Sequence, residues 1–260
     1  RIKESKSGNV NFKELNQIQN VVKGQPLAQK MPPERGKAGK TLTGRYLEAK
    51  NGKDIRIPLG KNVELDKDGV TIIASENGRV VFEAERINVE PVLELDAVNI
   101  KTGNIDFLGT VIVKGNVEDG YDVKASGNIE VGGTVGQSHL KTETGDIIVS
   151  QGIFGHDVGV IQSGGSLWAK FIQSAKVEVE KFVIVSDSIM NSEVTAMKRV
   201  ILNGKKAQIT GGHLFATEEI CAKNIGSPGG GAETILEVGF DPRLKQRLAE
   251  IQDEQNSLMR

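Results

Sequence analysis

Between Gly103 and Val238 the chain alternates apolar and polar positions in short bursts, and the bursts restart at nearly regular intervals. GNIDFLGTVIVKGNV begins at Gly103, GNIEVGGTVG at Gly127 and GDIIVSQGIFG at Gly145. GSLWAKFIQSAKVEV follows from Gly165, KFVIVSDSIMNSEV from Lys181, KRVILNGKKAQIT from Lys198 and EEICAKNIGS from Glu218. The restarts lie 24, 18, 20, 16, 17 and 20 residues apart. Each opens on turn-type or polar residues and runs into strict alternation, as in Ile129-Glu130-Val131. Strands of period 2 in a unit this short cannot bury their apolar face alone, so the units must stack on one another. The pattern predicts a parallel β-solenoid of seven coils over 97–239, about 33 Å long at one strand spacing per coil.

The inward ladder is read as Ile105, Val111, Val113, Val117, Val123, Ile129, Val131, Val135, Ile147, Val149, Leu167 and Ala169. It continues through Ile172, Val177, Val183, Val185, Val194, Val200, Leu202, Ile209, Ala216, Ile220 and Ala222. Each Val or Ile so buried contributes about 1.5–3 kcal/mol before entropy is subtracted. The same alternation points the only cysteine, Cys221, outward. A lone cysteine excludes an internal disulfide and fits a reducing compartment.

The first hundred residues follow another pattern. Asn20 to Ala28 reads as strand, turn, strand, and Met31 to Lys40 as a Pro/Gly/Lys connector. Strands are expected at Asp54 to Leu59, Val63 to Leu65 and Val70 to Ala74, with Asn77-Gly78 as a hairpin turn into Arg79-Val80-Val81-Phe82. A small β domain over 1–96 is expected to cap the first coil, because bare solenoid ends template edge-to-edge growth. GQPLA and ENGRVVFEA resemble the half-motifs of lipoyl-type domains, but the Asn77-Gly78 turn holds no lysine to carry a prosthetic group. No cofactor is expected.

After Gly239 the period changes. Asp241-Pro242 is an N-cap followed by proline at the first helical position. Leu244, Leu248, Ile251, Gln255 and Leu258 then recur at spacings of 4, 3, 4 and 3. This predicts a helix over 240–260 that starts a coiled coil, with Leu244, Leu248, Ile251 and Leu258 as an oligomerising seam. The rival is a surface helix folded back on the solenoid. A homo-oligomer is the expectation.

Charge adds one asymmetry. The net formal charge is −1, yet residues 1–61 hold 14 Lys/Arg against 5 Asp/Glu and residues 62–260 hold 19 against 29. Electrostatic docking of the basic part on an acidic solenoid, within or between chains, fits this better than nucleic-acid binding, with a merely solvated basic surface as the equal alternative. Phe12 and Tyr46 are the only aromatics in the basic block and no nucleic-acid fold signature accompanies it, so no nucleic-acid partner is expected. No apolar run reaches the roughly 18 residues of a membrane span.

Several long stretches carry a family resemblance. They are VVKGQPLAQKMPPERGKAGKTLTG, GKDIRIPLGKNVELDKDGVTIIASENGRVV, TGNIDFLGTVIVKGNVEDGYDVKASGNIEVGGTV and AKNIGSPGGGAETILEVG. Over nearly its whole length the chain resembles the bacterial flagellar assembly protein A family. The resemblance implies a cytoplasmic bacterial protein with an N-terminal domain, a right-handed β-helix and a C-terminal coiled-coil region. It implies a role in flagellar biogenesis without enzyme activity, which makes the flagellar or polar machinery the place to look for a partner. One departure is visible: Lys181, Lys198 and Glu218 lack the Gly-Gly or Gly-Asp restart, so the later coils are expected to be less regular.

Enzyme chemistry is the rival from another class, since β-helices also host polysaccharide lyases and hydrolases. The outward carboxylates are Asp106, Asp119, Asp122, Asp146, Asp157 and Asp187, and only Asp119 and Asp122, with Glu118, cluster in sequence. Sugar platforms reduce to Trp168. His139, His156 and His213 sit in different coils with no metal-ligand spacing, so no metal is expected. Gly226 to Gly231 lacks the Lys-Ser/Thr of a phosphate loop and reads as a turn. A bactofilin-like polymer of bare solenoids is a third reading, opposed by the folded flanks. The sequence thus favours a non-enzymatic scaffold.

Overall fold

A computed structural model describes residues 18–227, 229–240, 251, 252 and 255. Two compact units divide the chain: Gln19–Pro91, and a solenoid unit from Val92 onward that Ile18 joins.

The solenoid has about eight coils, one more than the restarts suggest. The extra coil comes first. Strand Val92–Leu95 pairs in parallel with Thr110–Val113, and Ile105–Phe107 with Val123–Ala125. The interval of 24 residues after Gly103 therefore spans the end of one coil and all of the next. No glycine marks the first coil's start, where Pro91 precedes Val92, so the repeat pattern did not expose it.

Each coil places residues on three faces. On the first face Leu93, Val111, Ile129, Ile147, Leu167, Val183, Val200 and Ile220 are successive parallel partners. On the second, Val98, Val117, Val135 and Ile153 stack through single bridges, and Ile172, Ile189, Ile209 and Ile225 continue the column. The third carries Ile105, Val123, Leu140, Ile161, Val177, Val194, Leu214 and Leu236. Every residue of the expected inward ladder is buried except Ile220 and Ala222, which are half-exposed in the last coil. In-register stacking of β-branched residues fills the narrow interior. Phe107 is its largest side chain and is fully buried.

One column breaks the aliphatic rule. Thr142 and Ser163 are buried neighbours on the third face. The Thr142 hydroxyl donates to the Gly145 carbonyl at 2.8 Å, and the Ser163 hydroxyl to the same oxygen at 2.9 Å. A buried hydroxyl without a partner would cost about 1–3 kcal/mol; here both are satisfied.

The later coils keep register without their glycines. Lys181 N–H donates to Gly165 O, Lys198 N–H to Lys181 O and Glu218 N–H to Lys198 O, at 3.0, 3.0 and 2.9 Å. What changes is strand length, which reaches 15 residues in Phe182–Ala196.

Unit Gln19–Pro91 is a set of small sheets. Asn20–Val21, Gly78–Glu83 and Arg86–Glu90 form one, and Pro26–Gln29, Thr71–Ala74 and Val63–Leu65 another. Val21, Ala74 and Val89 are its buried centre. The expected hairpin at Asn77-Gly78 is not one, because the strands on either side belong to different sheets. Asn77 Oδ1 instead accepts from Lys23 N–H at 2.8 Å. The tight hairpin turn is Ala84-Glu85, with φ of 49° and 58°, joining Glu83 to its partner Arg86. Of the expected strand Asp54 to Leu59, only a bridge from Leu59 to Ile87 forms.

Leu244, Leu248 and Leu258 of the expected seam lie outside the described residues, as does Asp241-Pro242. Ile251 has helical backbone and is exposed.

Candidate functional site: the corners and outer faces of the solenoid

Three of the six outward aspartates that look catalytic in sequence are corner braces. Asp119 Oδ1 accepts from Gln137 N–H at 2.7 Å, and Asp122 Oδ1 from His139 N–H at 3.3 Å. Asp146 Oδ1 accepts from Ser166 N–H at 2.8 Å. Asparagines do the same: Asn104 for Asp122 N–H, Asn116 for Thr134 N–H and Asn128 for Asp146 N–H, at 3.1, 2.9 and 2.9 Å. Each acceptor reaches one coil ahead, 17 to 20 residues along the chain. A corner N–H lies off the strand ladders and still needs an acceptor; an Asx side chain from the coil beneath supplies it. The recurrence of Asn or Asp at these offsets was the available sequence signal.

Asp122 also meets His139, with Nδ1 3.1 Å from Oδ1. His213 Nε2 is 3.3 Å from Glu237 Oε2, and the His156 ring stacks near Phe154. The three histidines thus have three separate partners. Among the described residues no group of His, Cys, Asp and Glu is placed to hold a metal. Asp157 and His156 form a left-handed corner, and Asp187 has no place in the braces above.

Asp106 lines a shallow depression with Phe107, Lys124, Ser126, Lys141 and Glu143. At about 190 Å³ it falls below the roughly 300–1,000 Å³ of ligand sites. Gly226 to Gly231 lies between strands Asn224–Ile225 and Thr234–Val238, opening no helix.

The first face has an outward row of different character. Glu94, Ile112, Glu130, Ile148, Trp168, Ile184, Ile201 and Cys221 are successive partners along it. Its middle is apolar, with Ile148 exposed and Trp168, Ile184 and Ile201 half-buried. Cys221 is exposed, as the alternation implied. No described helix is long and apolar enough to cross a membrane.

Braced corners and broad outer sheets, stacked coil on coil, define a parallel β-solenoid among the described residues. The chain belongs to the flagellar assembly protein A family. Residues 91–260 match the model described as its beta solenoid domain, and residues 1–85 the model described as its N-terminal region. No curated protein and no solved structure matches the chain.

Proposed function

We propose that the protein is a non-enzymatic scaffold in a process linked to flagellar assembly, acting from the cytoplasm by presenting its solenoid faces to other proteins. The observation that carries this reading is the commitment of Asp119, Asp122 and Asp146 to backbone N–H groups of the next coil. A hydrolase or lyase needs carboxylates free to bind substrate or move a proton. Family membership supplies the link to flagella. The reading includes a right-handed winding and self-association through Leu244, Leu248, Ile251 and Leu258.

Two experiments test it. A strain deleted for the chain should lose or misplace flagella, counted by electron microscopy. Complementation with the triple variant Asp119→Asn, Asp122→Asn, Asp146→Asn should restore them, since Asn keeps the acceptor oxygen while abolishing acid–base chemistry. Loss of complementation by a folded triple variant would favour an enzyme. For the seam, light-scattering mass should drop on truncation at Gly239; an unchanged mass would remove the helix as the assembly device.

A further inference from the structure

The most exposed apolar surface of the N-terminal unit sits on a preformed arm. Strands Gly39–Lys40 and Tyr46–Leu47 pair antiparallel, and Thr41 to Arg45 closes them. Gly44 N–H donates to Thr41 O and Thr41 N–H to Arg45 O, each at 2.9 Å, while Arg45 N–H donates to Thr41 Oγ1 at 3.0 Å. Gly44 has φ of +81°, the left-handed third residue of a three-residue hairpin loop. The loop is therefore held in one shape, and that shape projects Leu42 fully into solvent. Tyr46 and Leu47 are exposed beside it. The Lys40 ammonium lies 5.4 Å from the Tyr46 ring centre, and Lys37 and Arg45 flank the pair. Residues 30–61 hold 9 Lys/Arg against 3 Asp/Glu, a net of +6.

The solenoid of the same chain carries the opposite net charge. Residues 92–240 hold 12 Lys/Arg against 18 Asp/Glu, a net of −6. Their first face carries the apolar run Ile148, Trp168, Ile184 and Ile201, with Glu130 in register beside Ile148. Glu130 makes no ion pair among the described residues. The cations at the far end of the run are engaged: Arg199 with Glu218 at 2.6 Å and Lys198 over the Phe182 ring at 5.5 Å.

We propose that the 39–47 hairpin of one chain docks on the first solenoid face of a second copy, Leu42 and Leu47 against Trp168 and Ile184, with the basic flank toward Glu130. Three apolar side chains fall short of the roughly 800 Å² per partner of a standard interface. Reciprocal docking, each hairpin on the other chain's sheet, doubles the contact and closes the pair as a two-fold dimer. Opposite net charge steers the encounter and makes it salt-sensitive. This deepens the scaffold reading by naming one partner, and flagellar counts and oligomer mass fail independently.

The test is light-scattering mass of the full chain in a Leu248→Asp background, which removes seam pairing. The expected result is a dimer at low salt that dissociates as salt rises. Leu42→Asp and Trp168→Lys should each weaken dimerisation at least about tenfold, with Ile184→Lys as a second sheet variant and unchanged melting as the check on folding. Mixing the Leu42→Asp and Trp168→Lys chains should restore dimers in part, because that pair keeps one intact hairpin on one intact sheet face and sets the new Asp against the new Lys at the other contact. A monomer at every salt concentration overturns the proposal, as does a dimer indifferent to both substitutions. Monomers whose binding to anionic phospholipid vesicles depends on Leu42 would overturn it in favour of a membrane surface.

Discussion

The early and late coils of one solenoid solve the same corner by different means. Up to about Ser166, most strands are three or four residues long, Ile147–Phe154 excepted, and Asn or Asp side chains brace the turns by accepting N–H groups one coil ahead. Later, long strands such as Phe182–Ala196 and Gln208–Ala216 run through the corners, and single left-handed residues make the bend. Ser174, Asn191 and Gly211 occupy corresponding places with φ of 47°, 46° and 69°. In the first solution the side chain supplies an acceptor; in the second the backbone conformation itself is the device. The same residue type, asparagine, therefore has opposite requirements at Asn128 and at Asn191.

The largest expected effect lies in a late corner. Gly212 has φ of +90° and its Cβ position is filled by the Ser192 backbone. Gly212→Ala should cost about 2–4 kcal/mol, adding overpacking to left-handed strain, read by urea unfolding. A loss below about 1 kcal/mol would mean that the late corners are not backbone-limited. Next comes Asn128→Ala, which strands Asp146 N–H and should cost about 1–3 kcal/mol, whereas Asn128→Asp keeps the acceptor and should be nearly silent. Glycine then separates the two solutions: Asn128→Gly should destabilise like alanine, and Asn191→Gly should be neutral or stabilise by up to about 1 kcal/mol. Equal effects at both sites would erase the distinction.

The N-terminal unit holds milder versions of both devices. Ala84-Glu85 is a left-handed turn without the residues that prefer it, so Ala84→Asn with Glu85→Gly should stabilise this unit by about 1 kcal/mol. Asp68 braces a turn by accepting from Val70 N–H, Thr71 N–H and the Thr71 hydroxyl. The Thr71 hydroxyl, followed by the two backbone donors, holds its carboxyl below the ordinary 3.8. Its contribution is complete above that ordinary value and disappears as pH falls through the lower folded-state value. Asp68→Asn should flatten this small acid dependence in a pH series of melts.

How legible this was in the sequence depends on the period of the signal. The inward ladder was readable because burial of one strand face forces period 2, so Ile129, Ile147 and Leu167 declare themselves without their neighbours. The first coil was missed because Pro91-Val92 carries no glycine restart, although Leu93 and Leu95 alternate like the rest. Asn77-Gly78 misled because a local turn preference cannot say which sheets the flanking strands join, and Ala84-Glu85 was silent because tertiary pairing overrode preference. The corner acidic residues were visible as residues but not as braces, since their partners lie a full coil away. The Leu42 arm offered only a TLTG turn between basic residues, and its exposure depends on what fails to pack around it.

The half-exposed Ile220 and Leu236 of the last coil have a consequence for how the molecule comes apart. Each coil leans only on its neighbours, so the structure behaves as a one-dimensional zipper whose opening cost is set tooth by tooth. Amide exchange should be fastest around Ile220, Ile225 and Leu236 and slow progressively toward Ile147 and Leu167, where both neighbouring coils are complete. A protease acting on the transiently opened last coil would cut there first, and the coils behind the cut would keep their register.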